Sequence, residues 1–201
     1  MRLTLVWQGP VGAGSFPDDP EGFAALMVPA VYLRVKAYRG GRTVSYVGQS
    51  RTLLARIDQH IGQMLALAAP LRDDDGRPAY GADPVERLSG LNRGGALPAL
   101  AAAEALRMRF YFAACGDDFP EDCLSLAEAA LKDRLEAEAG RHAGLVMVEN
   151  RMRIPFAALD APLEIASTLD ALAAGDAAVV AALIGDAPIR LGAVEEAFDG
   201  A

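Results

Sequence analysis

The chain has 201 residues, of which 52% are hydrophobic and 23% charged, so it carries enough apolar material for a substantial core and lies far from the composition of disordered segments. No basic amino-terminal segment leads into an apolar run, and no stretch reaches the uninterrupted apolar length of a membrane span, so a cytoplasmic protein with no membrane partner is expected. With two cysteines, Cys115 and Cys123, and two histidines, the sequence argues against a structural zinc site, and both cysteines read as reduced and structural.

The formal net charge of -8 speaks against a nucleic-acid partner until its distribution is considered. Residues 155 to 201 hold eight acids against Arg190 alone, so the acidity belongs mainly to the tail. Between residues 30 and 66 the bases Arg34, Lys36, Arg39, Arg42, Arg51 and Arg56 face only Asp58. That local excess of five positive charges is where a phosphate is expected.

In chain order, residues 3 to 7 (Leu3-Thr4-Leu5-Val6-Trp7) predict a short strand, and residues 1 to 29 are set aside as an amino-terminal extension. Residues 31 to 37 alternate. Val31, Leu33, Val35 and Ala37 point one way, and Tyr32, Arg34, Lys36 and Tyr38 the other, giving one apolar and one basic face. Gly40-Gly41 supplies a tight hairpin, and Thr43 to Val47 returns as the antiparallel partner, bringing Tyr32 and Tyr46 together. Ser50 or Thr52 caps a following helix whose apolar stripe is Leu53, Ile57, Ile61 and Met64; Arg56 and His60 lie on the flank of that stripe as a polar edge beside the sheet.

Residues from about 67 to 105 read as an insertion with one short helix near Pro84 to Leu91. Leu106, Met108, Phe110 and Phe112 then alternate with Arg107, Arg109 and Tyr111, predicting a third strand. Asp122 to Ala139 forms a strong helix with Leu124, Leu131 and Leu135 buried. On its wheel Glu128 falls inside the apolar arc, where a carboxylate requires a partner. After Pro155 the chain is rich in Ala and Asp, and short helices are expected at Thr168 to Ala174, Ala177 to Ile184 and Gly192 to Phe198, forming an acidic helical appendage over 155 to 201.

Two phenols on neighbouring strands, an arginine and a histidine one turn apart, and a helix-borne carboxylate are the groups that phosphodiester cleavage needs around one point. Ala30-Val31-Tyr32 and Tyr46-Val47-Gly48, followed by Leu53, Arg56 and His60 at helical spacing, then Glu128 and Asn150, resemble in their order the GIY-YIG nuclease superfamily. The resemblance covers about residues 30 to 151. It implies an α/β (α+β) module over 30 to 154, with a three-stranded antiparallel sheet flanked by helices, that cuts DNA with one divalent ion, magnesium or manganese. It further implies that Glu128 ligates the metal and Tyr32 accepts a proton from the attacking water. Arg56 would stabilise charge on phosphorus, and Tyr46 and His60 would orient water or phosphate oxygens. Arg34, Lys36, Arg51 and Asn150 are the remaining expected nucleic-acid contacts. Alanine stands at position 30 where the family's first motif has glycine, and Gln49-Ser50 where lysine is common.

Each residue also has a plainer reading. The tyrosines are ordinary cross-strand aromatics, Arg56 and His60 a solvated helix edge, and Glu128 an i, i+4 partner of Lys132. Their order favours a DNA endonuclease, with a catalytically inactive nucleic-acid or protein binding module as the alternative. The acidic carboxy-terminal region is a candidate surface for a protein partner, and its lack of basic residues argues against a helix-turn-helix.

Overall fold

The computed structural model describes residues 1–81, 83–92, 96–141, 146–149 and 162–192. In chain order the elements are β1 (Arg2–Gly12), α1 (Pro20–Ala24), β2 (Ala30–Ala37), β3 (Thr43–Ser50), α2 (Leu53–Leu65), β4 (Leu71–Arg72), β5 (Pro78–Tyr80), α3 (Pro84–Leu91), α4 (Ala96–Leu106), β6 (Met108–Ala114), α5 (Leu124–Arg141), β7 (Val146–Val148), β8 (Leu163–Thr168), α6 (Ala174–Ile184) and β9 (Ile189–Leu191).

The architecture is mixed α/β. One sheet of seven strands runs in the order β7-β3-β2-β6-β1-β8-β9, and β4 and β5 form a separate hairpin. The expected three-stranded antiparallel sheet is only its centre, β3-β2-β6. Two additions correct the reading of both chain ends. β1 pairs antiparallel with β6 and parallel with β8, so the first dozen residues lie inside the sheet. Part of the supposed helical appendage is strand: β8 lies between β1 and β9. The cause is visible in Leu163 and Ile165, which are buried on either side of the half-buried Glu164 and supply a strand's alternation within an Ala-rich setting. The helix expected at Thr168 to Ala174 is not formed; α6 begins at Ala174, and residues 193–198 of the last expected helix lie outside the described residues.

Strand alternation sorts the core into two layers. Leu33 lies opposite Val47 and Tyr111, and this face packs with Leu5, Trp7, Leu131, Leu135 and Val180 under α5 and α6. On the other face Tyr32 lies opposite Gly48 and Phe112, and Arg34 opposite Tyr46 and Phe110. There the cluster includes Leu53, Ile57 and Met64 of α2 and Leu97 and Ala101 of α4. Each large side chain enclosed in this way contributes about 1.5–3 kcal/mol relative to exposure.

Gly40 and Gly41 hold φ of 71° and 75°, the left-handed backbone that glycine adopts without penalty. They turn β2 into β3 as expected. The expected insertion contains the β4–β5 hairpin, α3 and also α4, which the Ala-rich composition concealed. Leu97, Ala101 and Glu104 form the buried stripe of α4, and Pro98 sits in its first turn, where its missing N–H costs no helical bond. Among the described residues no helix is long and apolar enough to cross a membrane.

Candidate functional site

β2 carries Tyr32, Arg34 and Lys36 on one face because strand side chains alternate, and α2 and α4 cover that face. The consequence is a correction: the basic face of β2 is interior. Arg34 is 5% and Lys36 0% exposed, so neither is available as a surface phosphate contact. Lys36 Nζ donates to Glu104 Oε2 at 2.9 Å and lies 3.4 Å from Glu149 Oε1. Arg34 donates to Glu149 Oε2. Buried cations require such partners.

His60 is likewise deeper than expected. The buried stripe of α2 is Leu53, Ile57, His60 and Met64, so the imidazole occupies a core position and Ile61 the flank. Its Nδ1 receives Nη1 of Arg34 at 2.9 Å. Arginine has only donors, so Nδ1 is the acceptor and the proton of the neutral ring is on Nε2. Nε2 therefore donates to Tyr32 Oη, 2.8 Å away. Burial, together with the charges of Arg34, Arg56 and Lys36, pushes the His60 pKa down to about 3.

Arg56 ties the two phenols together. Its Nε donates to Tyr32 Oη at 3.0 Å and its Nη2 to Tyr46 Oη at 3.4 Å. The tyrosine rings stack with centroids 6.1 Å apart, and the Arg34 guanidinium lies 5.0 Å from the Tyr46 centroid. Two N–H donors thus converge on the Tyr32 oxygen, which favours negative charge there. Burial outweighs them, and the Tyr32 pKa is raised. Tyr32 is 0% exposed, so it does not meet water as the expected proton acceptor does. Tyr46 is the phenol that borders the cleft.

Gly48 has a stereochemical task. A Cβ there would lie 2.4 Å from Tyr32 Oη and 2.8 Å from Tyr46 Cε1, distances no side chain tolerates. The glycine of Tyr46-Val47-Gly48 leaves the room the Tyr32 hydroxyl fills.

A cleft of about 630 Å³ opens beside this cluster, lined by Arg34, Tyr46, Arg56, His60, Arg72 and Glu149 and continuing to the β4–β5 hairpin. Glu149, Arg72, Glu104 and Tyr38 were not among the expected site residues. Burial raises the Glu149 pKa, but Arg34, Lys36 and Arg72 together outweigh it and hold the carboxyl below its ordinary value. Glu104 accepts from Lys36, from Tyr38 at 2.8 Å and from Arg107 at 3.3 Å. These acids come from segments distant in sequence, and a sequence window over residues 30 to 66 cannot register them.

Glu128 stands apart from the hydrogen-bonded cluster. It projects from α5, which packs on the sheet's other face, and is half-buried with Gln49, two residues past Val47, as its hydrogen-bond partner. Burial raises its pKa more than Gln49, Lys132 and Arg56 lower it. Gln49 is itself anchored, donating to Ser125 Oγ at 2.8 Å. Lys132, one turn on, is 2% exposed and its Nζ has no hydrogen-bond partner among the described residues. A half-buried carboxylate that burial makes harder to ionise is one that a cation would stabilise. A single carboxylate can be the protein share of a magnesium site completed by water and phosphate; among the described residues no group of three or more His, Cys, Asp or Glu side chains stands together to hold an ion.

Arg51 is exposed and pairs with Glu121 at 3.1 Å, a surface position open to a phosphate. Asn150 lies outside the described residues. Cys115 and Cys123 are free thiols; burial, then Glu121, Cys123 and Asp122, push Cys115 up to about 11, which keeps it an unreactive thiol. The structure therefore brings Tyr32, Tyr46, Arg34, Arg56 and His60 together and sets Glu128 in the adjoining layer. No family model, no curated protein and no solved structure matches this chain.

Proposed function

We propose that the chain is a GIY-YIG-type endonuclease that hydrolyses phosphodiester bonds in DNA. The observation that carries this reading is Arg56 bridging the Tyr32 and Tyr46 hydroxyls at the mouth of a cleft that also presents Arg34 and His60. That is the order of residues in the resemblance, folded around one point.

In this reading the roles follow from exposure. Tyr46 is the phenol that reaches a water in the cleft and positions it, or takes its proton, beside the phosphate. Tyr32, enclosed between His60 and Arg56, holds the Arg56 guanidinium in orientation. Arg56 places positive charge where it develops on the phosphoryl oxygens. His60 is neutral and acts as a fixed donor to Tyr32, with Arg34 setting its tautomer. Glu128, oriented by Gln49, would hold magnesium or manganese, which when bound supplies charge to the phosphate and the leaving oxygen. Arg51 contributes a contact to a neighbouring backbone phosphate.

The test is nicking of supercoiled plasmid by purified protein, with and without magnesium or manganese, beside Glu128→Ala, Tyr46→Phe and Tyr32→Phe variants. Metal-dependent nicking that Glu128→Ala abolishes is expected. Equal nicking by all four proteins indicates contamination or a misassigned site. The second reading, a non-catalytic nucleic-acid or protein binding module on the same scaffold, is favoured by one observation: Glu128 is not among the residues lining the cleft. DNA binding without nicking by the wild type selects it.

A further inference from the structure

The cleft is longer than the arginine–tyrosine cluster requires. Beyond His60 it passes Gln63 and Met64 of α2 and then Ala69 and Pro70 to the β4–β5 hairpin, where Leu71, Arg72, Pro78 and Tyr80 line it. One end presents guanidinium and phenol groups, and the other is mainly apolar, with one aromatic ring and the Arg72 side chain of β4 beside it. Its volume of about 630 Å³ lies in the roughly 300–1,000 Å³ range of small-ligand sites. That is room for one nucleotide and not for a duplex.

We propose that this apolar end is a subsite for an unpaired nucleobase, so that the strand engaged is single-stranded or has one nucleotide turned out of its stack. The proposal rests on the nuclease reading for the phosphate at the other end. Tyr80 is the stacking platform. Its ring is held from behind by Gly90 of α3, where an added Cβ would lie 2.9 Å from Tyr80 Cε1. The adjoining Gly81 N–H is fixed by Glu86 at 2.8 Å. Ahead of the hairpin in sequence, the Leu67 carbonyl accepts from Arg87 at 2.9 Å, so α3 holds the chain on both flanks of β4–β5. Stacking on an aromatic face is tolerant of base identity, and Gln63 at the rim offers an amide to a base edge. A base that is already unpaired spares the unstacking energy a duplex must lose, which gives the site a built-in preference.

The probe is a short fluorescein-labelled oligothymidylate, with a series in which each residue in turn is abasic, and the same strand annealed as a duplex. Binding to the full chain is read by fluorescence anisotropy in EDTA, so that cleavage does not intervene. Expected results are tighter binding of the single strand than of the duplex, and one position at which loss of the base weakens binding about tenfold or more. Tyr80→Ala should weaken the intact strand to a similar extent while leaving the strand abasic at that position unchanged, and Tyr80→Phe should bind like the wild type. Equal or tighter binding of the duplex, no sensitivity to any abasic position, or no binding of the oligonucleotide overturns the proposal. The abasic series with wild-type protein decides it even if Tyr80→Ala does not fold. Base-dependent binding without plasmid nicking supports the subsite while removing the nuclease reading. Nicking without base dependence does the reverse.

Discussion

Gly48→Ala is the sharpest perturbation the structure offers. In a strand interior, replacing glycine by alanine ordinarily stabilises by about 0.5–1 kcal/mol, because glycine loses the most backbone freedom on folding. Here the new methyl carbon would stand 2.4 Å from Tyr32 Oη, 2.5 Å from Tyr32 Cζ and 2.8 Å from Tyr46 Cε1. Tyr32 is fully enclosed and cannot swing to solvent, so the backbone or the ring must shift. Overpacking of this kind costs about 1–3 kcal/mol. A shifted hydroxyl also strains its bonds to His60 and Arg56, and a charge-assisted bond to a buried phenol is worth about 1.5–3 kcal/mol. The expected result is a loss of about 2–4 kcal/mol in urea unfolding with an unchanged m-value, and a loss of nicking on the order of 100-fold, as for a misplacement of about 1 Å. In the Tyr32→Phe background, which already lacks both hydrogen bonds, Gly48→Ala should cost about 1–2 kcal/mol less, a coupling expected only of residues in contact. A Gly48→Ala protein as stable as the wild type, or more stable, refutes the geometry of the paired tyrosines.

His60 predicts a pH dependence. Its folded-state pKa of about 3 lies below the unfolded value of about 6.5, so between these values the unfolded chain binds more protons. The contribution is complete above about pH 6.5 and is lost as pH falls towards 3, by at most about 1.4 kcal/mol per pH unit; urea midpoints near pH 7 and pH 5 should differ in the wild type and converge in His60→Gln. Glu128, whose pKa is raised, works in the opposite direction, and Glu149, whose pKa is lowered, adds only below about 4.5, so neither imitates this signature. Glu149→Gln removes the carboxylate shared by Arg34, Lys36 and Arg72. It should destabilise by about 3 kcal/mol, the low end for a broken buried pair, because Lys36 keeps Glu104; an unchanged urea midpoint would contradict the network. Arg51→Ala, at a side chain 88% exposed, should change stability by less than about 0.5 kcal/mol while lowering the salt slope of DNA binding by about 1; anisotropy titrations across salt concentrations separate the two effects.

Which parts of this arrangement the sequence exposed depends on how local their cause is. The β2–β3 hairpin follows from Gly40-Gly41 and strict alternation on either side, and both are nearest-neighbour signals. The juxtaposition of Tyr32 with Tyr46, and the helix carrying Arg56 and His60, follow from them. β8 was not legible because Leu163, Ile165 and Ala166 are too few to stand out in an Ala-rich tail, and its pairing with β1 joins residues about 160 positions apart. α4 was obscured by the opposite effect. Its alanines carry no amphipathic contrast, and it is the burial of Leu97, Ala101 and Glu104, the last against Lys36, that marks which side faces inward.

The charge pattern shows the same limit and explains the site. The local excess over residues 30 to 66 is real in composition, yet Glu149, Glu104, Asp74 and Glu121 arrive from elsewhere to meet Arg34, Lys36, Arg39 and Arg51. Buried ion pairs are a poor source of stability, since well-packed apolar residues of similar volume often serve as well or better. The network around Glu149 therefore needs a reason beyond holding the fold together, and the hydrogen bonds supply one. Glu149 fixes the Arg34 guanidinium, Arg34 fixes the His60 tautomer, and His60 presents its N–H to the phenol that Arg56 also grips. The same carboxylate that offsets the charge of β2 thus sets the orientation of Arg34 and, through it, of the His60 ring that faces the Tyr32 hydroxyl.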